Sequence, residues 1–357
     1  MDLVIAMKKL LWALSLCIGL TATPWAAGAD NSDGKAATLG MTVLPEQLNR
    51  GPITVFYPSD SPSATVSRGP FQLDVATDGT VRTGNRRLII ISHGSGGNPW
   101  PMTELARSLV RMGYTVAVPE HEGDNYRSMR LVGPESWKRR PGEVSAAIDA
   151  VQADARFAPL LDLNQAGVYG TSAGGITALI MAGAQWSPQR FQQHCLAHME
   201  DDFNACVGLV TSLKGDWADG LKTGLARFVH RLMFNDATAY HHEDPRVRAV
   251  IASVPMAAPI DMASFAKPKA AIGLMGAGQD EWLHPRFHID AVRAACAACE
   301  VLMDDPKAGH GSLFSPWPAE LAQRLTPLLV DPPGFERQNL PAVYARMGDF
   351  FTRHLKP

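Results

Sequence analysis

A serine between glycines is the feature of this sequence with the clearest chemical meaning. Residues 170–175 read GTSAGG and directly follow the apolar segment 166–169, which is typical of a strand. A tight turn from strand to helix would strain the backbone of Ser172, and it requires residues without side chains two positions away, which Gly170 and Gly174 supply. The turn would lift Ser172 Oγ to a helix N-terminus, where amide N–H groups favour negative charge. We therefore predict a nucleophilic serine.

A serine hydroxyl is a weak nucleophile near neutral pH and needs a base. Of the 11 histidines, we expect His310 to serve, because it lies in a glycine-flanked loop after the last predicted strand. Asp280 follows the predicted strand 271–275, where a carboxylate can fix the imidazole tautomer and stabilise the imidazolium. Its neighbour Glu281 and the more distant Asp261 are the alternatives for the acid.

Acyl transfer also needs hydrogen-bond donors for the oxyanion. Residues 93–97 read HGSGG and follow 88–91, a continuous apolar run that predicts a buried strand feeding a glycine-rich turn. We expect the backbone N–H groups of Ser95 and Ala173 to form the oxyanion hole. His93 itself is expected to be structural, with its ring packed under the turn.

Several other residues could bind the substrate or a metal ion. His121, near the functional face, and Trp137 are expected to contact the substrate, although His121 could equally lie in a surface loop. His194 with His198, and the polar run 241–244, could ligate a metal, but neither forms the HExxH pattern. We predict no metal and no cofactor.

The elements that must position these residues alternate along the chain. Such alternation predicts an α/β fold, namely a doubly wound, mainly parallel sheet with a helical cap insertion. The predicted strands are 88–91, 114–118, 166–169, 247–254, 271–275 and 300–303, and the predicted helices are 103–112, 143–157, 174–184, 285–296, 318–328 and 342–354. Two segments exceed what the sheet needs, and 124–141 and 185–246 are lid candidates. The alternative for 185–246 is a helical excursion that fills one edge of the core.

The N-terminus predicts export. Two lysines precede the apolar run 10–20, and small residues follow up to Ala29, so we expect a signal peptide over 1–29 and a catalytic domain over 30–357. The run is too short to cross a bilayer, which needs about twenty residues, and no stable membrane anchor is expected. The protein is predicted to be periplasmic or secreted.

Composition narrows the function classes. The 357 residues are 46% hydrophobic and 19% charged with a net charge of -2, which excludes disorder and collagen and gives no basic surplus for nucleic acid. In an exported chain the remaining cysteines favour disulfides, with Cys195 and Cys206 the better pair. Cys296 and Cys299 are expected to be structural, and their pairing is left open.

These motifs together resemble the α/β-hydrolase superfamily, and within it the dienelactone-hydrolase-like serine esterases related to platelet-activating-factor acetylhydrolase. The resemblance rests on residues 69–76, 92–97, 137–141, 170–175, 244–250, 276–280 and 309–310. It implies the catalytic order Ser172, Asp280, His310. Dienelactone hydrolases have cysteine at the nucleophile position, and Ser172 therefore shifts the expectation from lactones to esters.

The resemblance implies a serine carboxylic ester hydrolase that forms an acyl-enzyme with small or medium acyl esters. Its partner would be a small-molecule ester, and the oligomeric state is left open. A peptidase or amidase is the alternative enzyme, because a triad does not choose its leaving group. The alternative from another class is a catalytically inactive hydrolase scaffold used for binding.

Overall fold

The continuous apolar runs of the sequence form neighbouring strands of one twisted sheet. The computed structural model describes residues 36–48, 50–318, 320–321 and 329–356. The predicted signal peptide lies outside the described residues, as does most of the predicted helix 318–328. The strands are β1 (Thr38–Leu44), β2 (Ile53–Ser59), β3 (Ala64–Arg68), β4 (Phe71–Thr77), β5 (Leu88–Ser92), β6 (Thr115–Pro119), β7 (Ala166–Thr171), β8 (Val247–Ser253), β9 (Ala271–Ala277) and β10 (Glu300–Asp305).

The strand order is β10-β9-β8-β7-β5-β6-β2-β1-β4-β3. The run from β6 through β5, β7, β8 and β9 to β10 is parallel, and β2 pairs antiparallel with both β6 and β1. Parallel strands present all their carboxyl ends at one edge, and this is where ligand-binding loops of such sheets lie. The loops after β5, β7, β9 and β10 therefore share one edge.

Helices cover both faces of the sheet. They are α1 (Thr103–Arg111), α2 (Pro134–Ala153), α3 (Ala173–Met181), α4 (Pro188–His198), α5 (Phe203–Val207), α6 (Asp219–Met233), α7 (Ile289–Ala295) and α8 (Leu340–His354). Successive strand side chains point to opposite faces: Ile90 packs in the cluster with α2 and α3, whereas Ile89 and Ile91 pack with α1 and α8. Burial on both faces explains why β5 is apolar throughout.

The α/β prediction is confirmed, with one part of the sheet missed. β1 to β4 lie ahead of the first predicted strand and add antiparallel pairs to the parallel core. β3 and β4 form a hairpin in which outward-facing polar residues such as Gln72 and Asp74 alternate with buried ones. The pairing of β1 with β4 and of β2 with β6 attaches these strands to the sheet, and local composition does not reveal such distant pairings.

The second helix begins earlier than predicted. α2 starts at Pro134 and continues through Pro141, so that 134–141, in the second half of the lid candidate 124–141, is helical. Trp137, Arg140 and Pro141 are buried on this helix. The sequence does not indicate this start, because a run of basic residues is typical of a solvated loop. In the structure the charge of the buried Arg140 is balanced by the carboxylate of Asp124. The predicted lid role is not consistent with this buried half.

The segment 185–246 has two different parts. Residues of α4 and α5 belong to the main hydrophobic cluster, including Phe191 and Phe203, as the core-filling alternative expects. α6 instead packs on α4 and α5 and points apolar side chains outward, each more than half exposed: Leu221, Leu225, Phe228, Leu232 and Met233. A lid role for α6 remains a prediction.

Two disulfides join the four cysteines of the described residues. Cys195 of α4 bonds Cys206 of α5, as predicted, and Cys296 bonds Cys299. The first joins the consecutive helices α4 and α5, and the second closes a short turn between α7 and β10. Both fit a chain that folds in an oxidising compartment.

The longer disulfide loop should contribute more stability. Chain-entropy arguments give about 3 kcal/mol for a loop the size of Cys195–Cys206 and about 2 kcal/mol for the loop closed by Cys296–Cys299. We predict that Cys195→Ala/Cys206→Ala lowers the free energy of unfolding more than the matched control Cys296→Ala/Cys299→Ala does, as measured by urea denaturation. Because α4 and α5 lie outside the sheet, the core should still fold. A larger loss in the control would contradict this ranking.

Candidate active site

Ser172 lies in a strained turn between β7 and α3. Its φ is +57° and its ψ is −118°, a combination that residues with a side chain rarely adopt. A Cβ on Gly170 would lie 1.8 Å from the Gly174 carbonyl oxygen, and a Cβ on Gly174 would lie 1.9 Å from the Ser92 carbonyl oxygen. Both glycines are therefore required sterically. The turn leaves Ser172 partly exposed among buried neighbours.

Asp280 and His310 form a buried pair at the same edge of the sheet. His310 Nδ1 lies 2.7 Å from Asp280 Oδ2, and the side chains are only 2–4% exposed. The other oxygen, Asp280 Oδ1, accepts hydrogen bonds from the backbone N–H groups of Trp282 and Leu283 at 2.9 and 2.8 Å. The Trp282 ring stacks on the imidazole with centroids 5.6 Å apart. The carboxylate is thus oriented by two amides, and it fixes the proton of His310 on Nδ1.

The two alternative acids do not contact His310. Glu281 is exposed, and its carbonyl oxygen accepts a hydrogen bond from the Asn204 amide. Asp261 forms an ion pair with Arg190 at 3.1 Å and caps the following short helix. Neither carboxylate contacts His310, so that the geometry favours Asp280.

The sheet brings Ser172 and the Asp280–His310 pair to one edge. Ser172 follows β7, whereas Asp280 follows β9, two strands away, or roughly 10 Å at the usual spacing. Within the described residues no hydrogen bond joins Ser172 Oγ to His310. Such bonds are often long before substrate binds. His310 lies in the loop that follows β10 and folds back over this edge. Within this loop, Gly309 N–H donates a hydrogen bond to Ser312 Oγ at 2.9 Å.

The HGSGG turn lies directly beside the serine. A Cβ on Gly94 would lie 3.3 Å from the Cβ of Ser172. Within the turn, Gly96 N–H donates to Asp124 Oδ1 at 2.9 Å and Gly97 N–H donates to the Gly94 carbonyl at 3.1 Å. Neither Ser95 N–H nor Ala173 N–H has a partner in the part of the chain that the structure describes. The two expected oxyanion donors are therefore free.

His121 is in the interior and not on a pocket wall, which corrects the expectation that it contacts substrate. Its ring is fully buried; Ser92 Oγ donates to Nε2 at 2.8 Å, and Nδ1 donates to Glu143 at 2.5 Å. This serine, histidine and glutamate resemble a triad in their connections, but Ser92 is also fully buried. The group therefore braces the ends of β5 and β6.

Trp137 is likewise a core residue. Its ring packs edge-on against Trp186 and Phe191 with centroids 5.8 and 5.2 Å apart. Only 4% of the residue is exposed. Its expected contact with substrate is therefore wrong for this structure, because α2 turns it toward the hydrophobic cluster and away from solvent.

His93 is structural, as predicted, and its environment fixes its protonation. Nδ1 donates to the Gly94 carbonyl at 2.7 Å, and Nε2 accepts the His121 N–H at 3.5 Å. Burial, followed by the charges of nearby His121 and Arg140, holds the pKa of His93 well below its usual value. Burial does the same to the pKa of His121, with Arg140 acting in the same direction. Both imidazoles are neutral in the folded protein.

Three residues near the site have no counterpart in the sequence-based expectations. They are Asp124, Arg140 and Glu143, and all three are buried. The sequence signal that could have found them is a charged residue on the apolar face of a predicted helix, which must have a partner when buried. For Arg140 that signal was lost because the helix was predicted to start at Glu143, and Asp124 gives no such signal because it lies in a loop.

The described residues contain no group of three or more histidine, cysteine or acidic side chains arranged to hold a metal ion. His194 instead pairs with Asp202 at 2.7 Å, and the same carboxylate contacts His288 at 3.0 Å. Among the described helices, none combines the length and the apolar character needed to cross a bilayer.

The fold is similar to that of a known esterase. The chain superposes on the ferulic acid esterase from Streptomyces cinnamoneus with a TM-score of 0.54 over 91% of this chain and 92% of that one, at 17% sequence identity. No protein-family model matches the sequence. No curated protein matches it either. The comparison establishes an α/β fold of the kind seen in that esterase.

Stability should fall on mild acidification because of the buried imidazoles. In the folded protein the pKa values of His93 and His121 lie below the usual 6.5, so the unfolded chain takes up protons at a higher pH than the folded protein does. The free energy of unfolding therefore decreases as the pH falls below about 6.5. Each imidazole contributes at most about 1.4 kcal/mol per pH unit. Glu143, whose pKa burial raises, opposes this at lower pH.

We predict that His121→Gln reduces the pH dependence of stability between pH 6.5 and 5.5. Its free energy of unfolding, measured by urea denaturation, should change less than that of the wild-type protein, by up to one imidazole's contribution. Equal slopes in the two proteins would mean that His121 is not held neutral in the folded state.

Proposed function

We propose that this protein is a serine-dependent carboxylic ester hydrolase that acts through Ser172, His310 and Asp280. The observation that carries the proposal is the joint position of a strained, partly exposed serine and a buried Asp280–His310 pair at one edge of the sheet. The arrangement supplies a nucleophile, a base and a carboxylate that orients the base. The esterase with a similar fold is compatible with this reaction class.

The proposed reaction has two steps. His310 Nε2 takes the proton of Ser172 as Oγ attacks the ester carbonyl, and the N–H groups of Ser95 and Ala173 stabilise the oxyanion. The imidazolium then gives its proton to the departing alcohol, leaving an acyl-enzyme. Water, deprotonated by the same imidazole, then attacks the acyl carbonyl, and the imidazolium returns the proton to Ser172 Oγ as the bond from Oγ to the acyl carbon breaks and the acid leaves. Asp280 keeps the tautomer that leaves Nε2 free to accept a proton.

Substrate contacts in this proposal come from the rim of the site and not from His121 or Trp137. Met129 is half exposed, and its Cε lies 3.2 Å from the position of a Cβ on Gly96. Tyr126, also half exposed, is joined to the turn through its N–H, which donates to the Gly97 carbonyl at 3.0 Å. These apolar side chains beside the proposed oxyanion hole suit small or medium acyl esters.

Export of the protein also belongs to this proposal. The two disulfides and the composition of residues 1–29 support a periplasmic or secreted enzyme. The alternative activity is amide or peptide hydrolysis by the same residues. Comparing p-nitrophenyl esters from acetate to palmitate with p-nitroanilides distinguishes the two, because a preference for anilides would favour the amidase.

Removing the nucleophile should abolish turnover. We predict that Ser172→Ala folds normally and loses roughly six orders of magnitude in kcat on a short p-nitrophenyl ester. A fluorophosphonate probe should label Ser172 in the wild-type protein, as located by peptide mass spectrometry. Ser95→Ala is the matched control, since it keeps the backbone N–H that the reaction uses, and it should still be labelled. Full activity in Ser172→Ala would refute the proposal.

The two adjacent acids should differ sharply in their effects. We predict that Asp280→Asn lowers kcat by roughly four orders of magnitude, because an amide favours the wrong imidazole tautomer. Glu281→Gln should leave kcat nearly unchanged, since this carboxylate is exposed and does not contact His310. Steady-state kinetics on both variants tests the assignment, and the reverse ranking would contradict it.

A further inference from the structure

We propose that Arg140 and Asp124 are positioning residues that aim the Ser95 N–H at the substrate carbonyl oxygen. The inference rests on the proposed ester hydrolase function and extends it to residues that touch no reacting atom. The two residues form a fully buried ion pair beneath the HGSGG turn. The proposed reaction does not itself require such a pair.

The ion pair is enclosed and closely bonded. Both side chains are 0% exposed, and Arg140 reaches Asp124 Oδ2 from Nη2 at 2.8 Å and from Nε at 3.2 Å. Ser136 Oγ, one helical turn before Arg140, donates to the same oxygen at 2.5 Å. Although burial alone would raise it, the charge of Arg140 together with hydrogen bonds from Ser136 and Gly96 lowers the pKa of Asp124 to about 2. The pair is therefore charged at any ordinary pH.

Several further bonds of the pair reach the backbone of the turn, while Arg140 Nε donates to Ser136 Oγ at 2.7 Å and Asp124 Oδ2 accepts the Ser95 hydroxyl at 3.4 Å. Arg140 Nη1 donates to the His93 carbonyl at 2.5 Å, and Nη2 donates to the Gly94 carbonyl at 3.4 Å. Asp124 Oδ1 accepts the Gly96 N–H at 2.9 Å. The planar guanidinium thus bonds two successive carbonyls on one side of the turn while the carboxylate bonds an amide further along it.

These bonds determine the direction of the Ser95 N–H. The Gly94 carbonyl and the Ser95 N–H belong to the same trans peptide, in which the two bonds point in opposite directions. Arg140, the His93 ring and Gly97 N–H all bond the Gly94 carbonyl from one side. Hence the Ser95 N–H is turned to the other side, and it has no partner among the described residues. A rotated peptide would lose this donor.

The test uses Arg140→Lys, which retains the positive charge opposite Asp124. A lysine has no planar fork, and it cannot bond the carboxylate and both carbonyls together. Losing one oxyanion donor costs about 10²–10³ in kcat, so we expect kcat to fall by about 10² while KM stays within about twofold. Arg139→Lys is the matched control, because the side chain of Arg139 is 48% exposed and contacts Glu122. The control should keep wild-type kcat.

A second measurement separates positioning from general damage. An aryl trifluoromethyl ketone adds to a nucleophilic serine and leaves an oxyanion in the hole, so that its inhibition constant follows transition-state binding. We expect Arg140→Lys to weaken this inhibitor by the same factor as it lowers kcat/KM. Fluorophosphonate labelling of Ser172 should persist. A KM that rises by the same factor as kcat falls would overturn the proposal. An unchanged inhibition constant for the trifluoromethyl ketone would also overturn it.

If Arg140→Lys does not fold, a double variant still tests the proposal. Asp124→Leu/Arg140→Met removes both charges together, and such replacements of buried ion pairs are often neutral or stabilising. If the pair is only structural, a folded double variant keeps wild-type kcat and the proposal fails. If the pair positions Ser95, the variant folds but loses about 10² in kcat. Failure of the proposed function has a different signature, namely an inactive, unlabelled wild-type protein.

Discussion

The reversal of the chain at Ser172 constrains everything around it. At this point α3 begins so close to β7 and to the carboxyl end of β5 that no side chain fits at Gly170 or Gly174. The serine absorbs the strain with a positive φ, a conformation that costs of order 1–3 kcal/mol and persists only where the surroundings over-determine it. Here Ser172 N–H bonds the Ser253 carbonyl at 3.0 Å, and Met256 N–H bonds the Ser172 carbonyl at 3.1 Å. Neighbouring β8 thus clamps the turn.

Beneath the same edge lies an unusual density of buried polar groups. Neutral His93 and His121 stand beside the charged Arg140–Asp124 pair, and Glu143 connects to His121 and to the Glu122 N–H. The bonds of this network end on its own members, on the backbone between β5 and α2, or on the hydroxyls of Ser92, Ser95 and Ser136. In the proposed account, the network gives the oxyanion turn a fixed shape without using any residue that meets the substrate.

The sequence predicted the parallel core and the candidate triad because both leave local signals. The β-branched apolar run 88–91 favours a strand buried on two faces, and the glycines around Ser172 mark a turn in which side chains at those two positions would collide. Asp280 was distinguished from Glu281 only by position along the strand end, and the structure favours it through the two amides that its carboxylate accepts.

The misses have a common physical cause. The attachment of β1 and β2 to the sheet through β4 and β6, the early start of α2 and the burial of His121 and Trp137 all depend on partners far away in sequence. Arg140 reads as part of a solvated basic run until Asp124 is brought to it by the fold. Trp137 reads as a binding residue until α2 turns it into the cluster with Trp186 and Phe191.

The most direct test of the central claim is a crystal structure of the protein after reaction with an aryl phosphonate. The account predicts a phosphonyl group bonded to Ser172 Oγ, with its oxygen accepting hydrogen bonds of about 2.7–3.1 Å from Ser95 N–H and Ala173 N–H. His310 Nε2 should face the bonded Oγ or the leaving-group position, with Nδ1 still on Asp280. An adduct at another residue, or a phosphonyl oxygen turned to solvent away from both amides, would contradict the account.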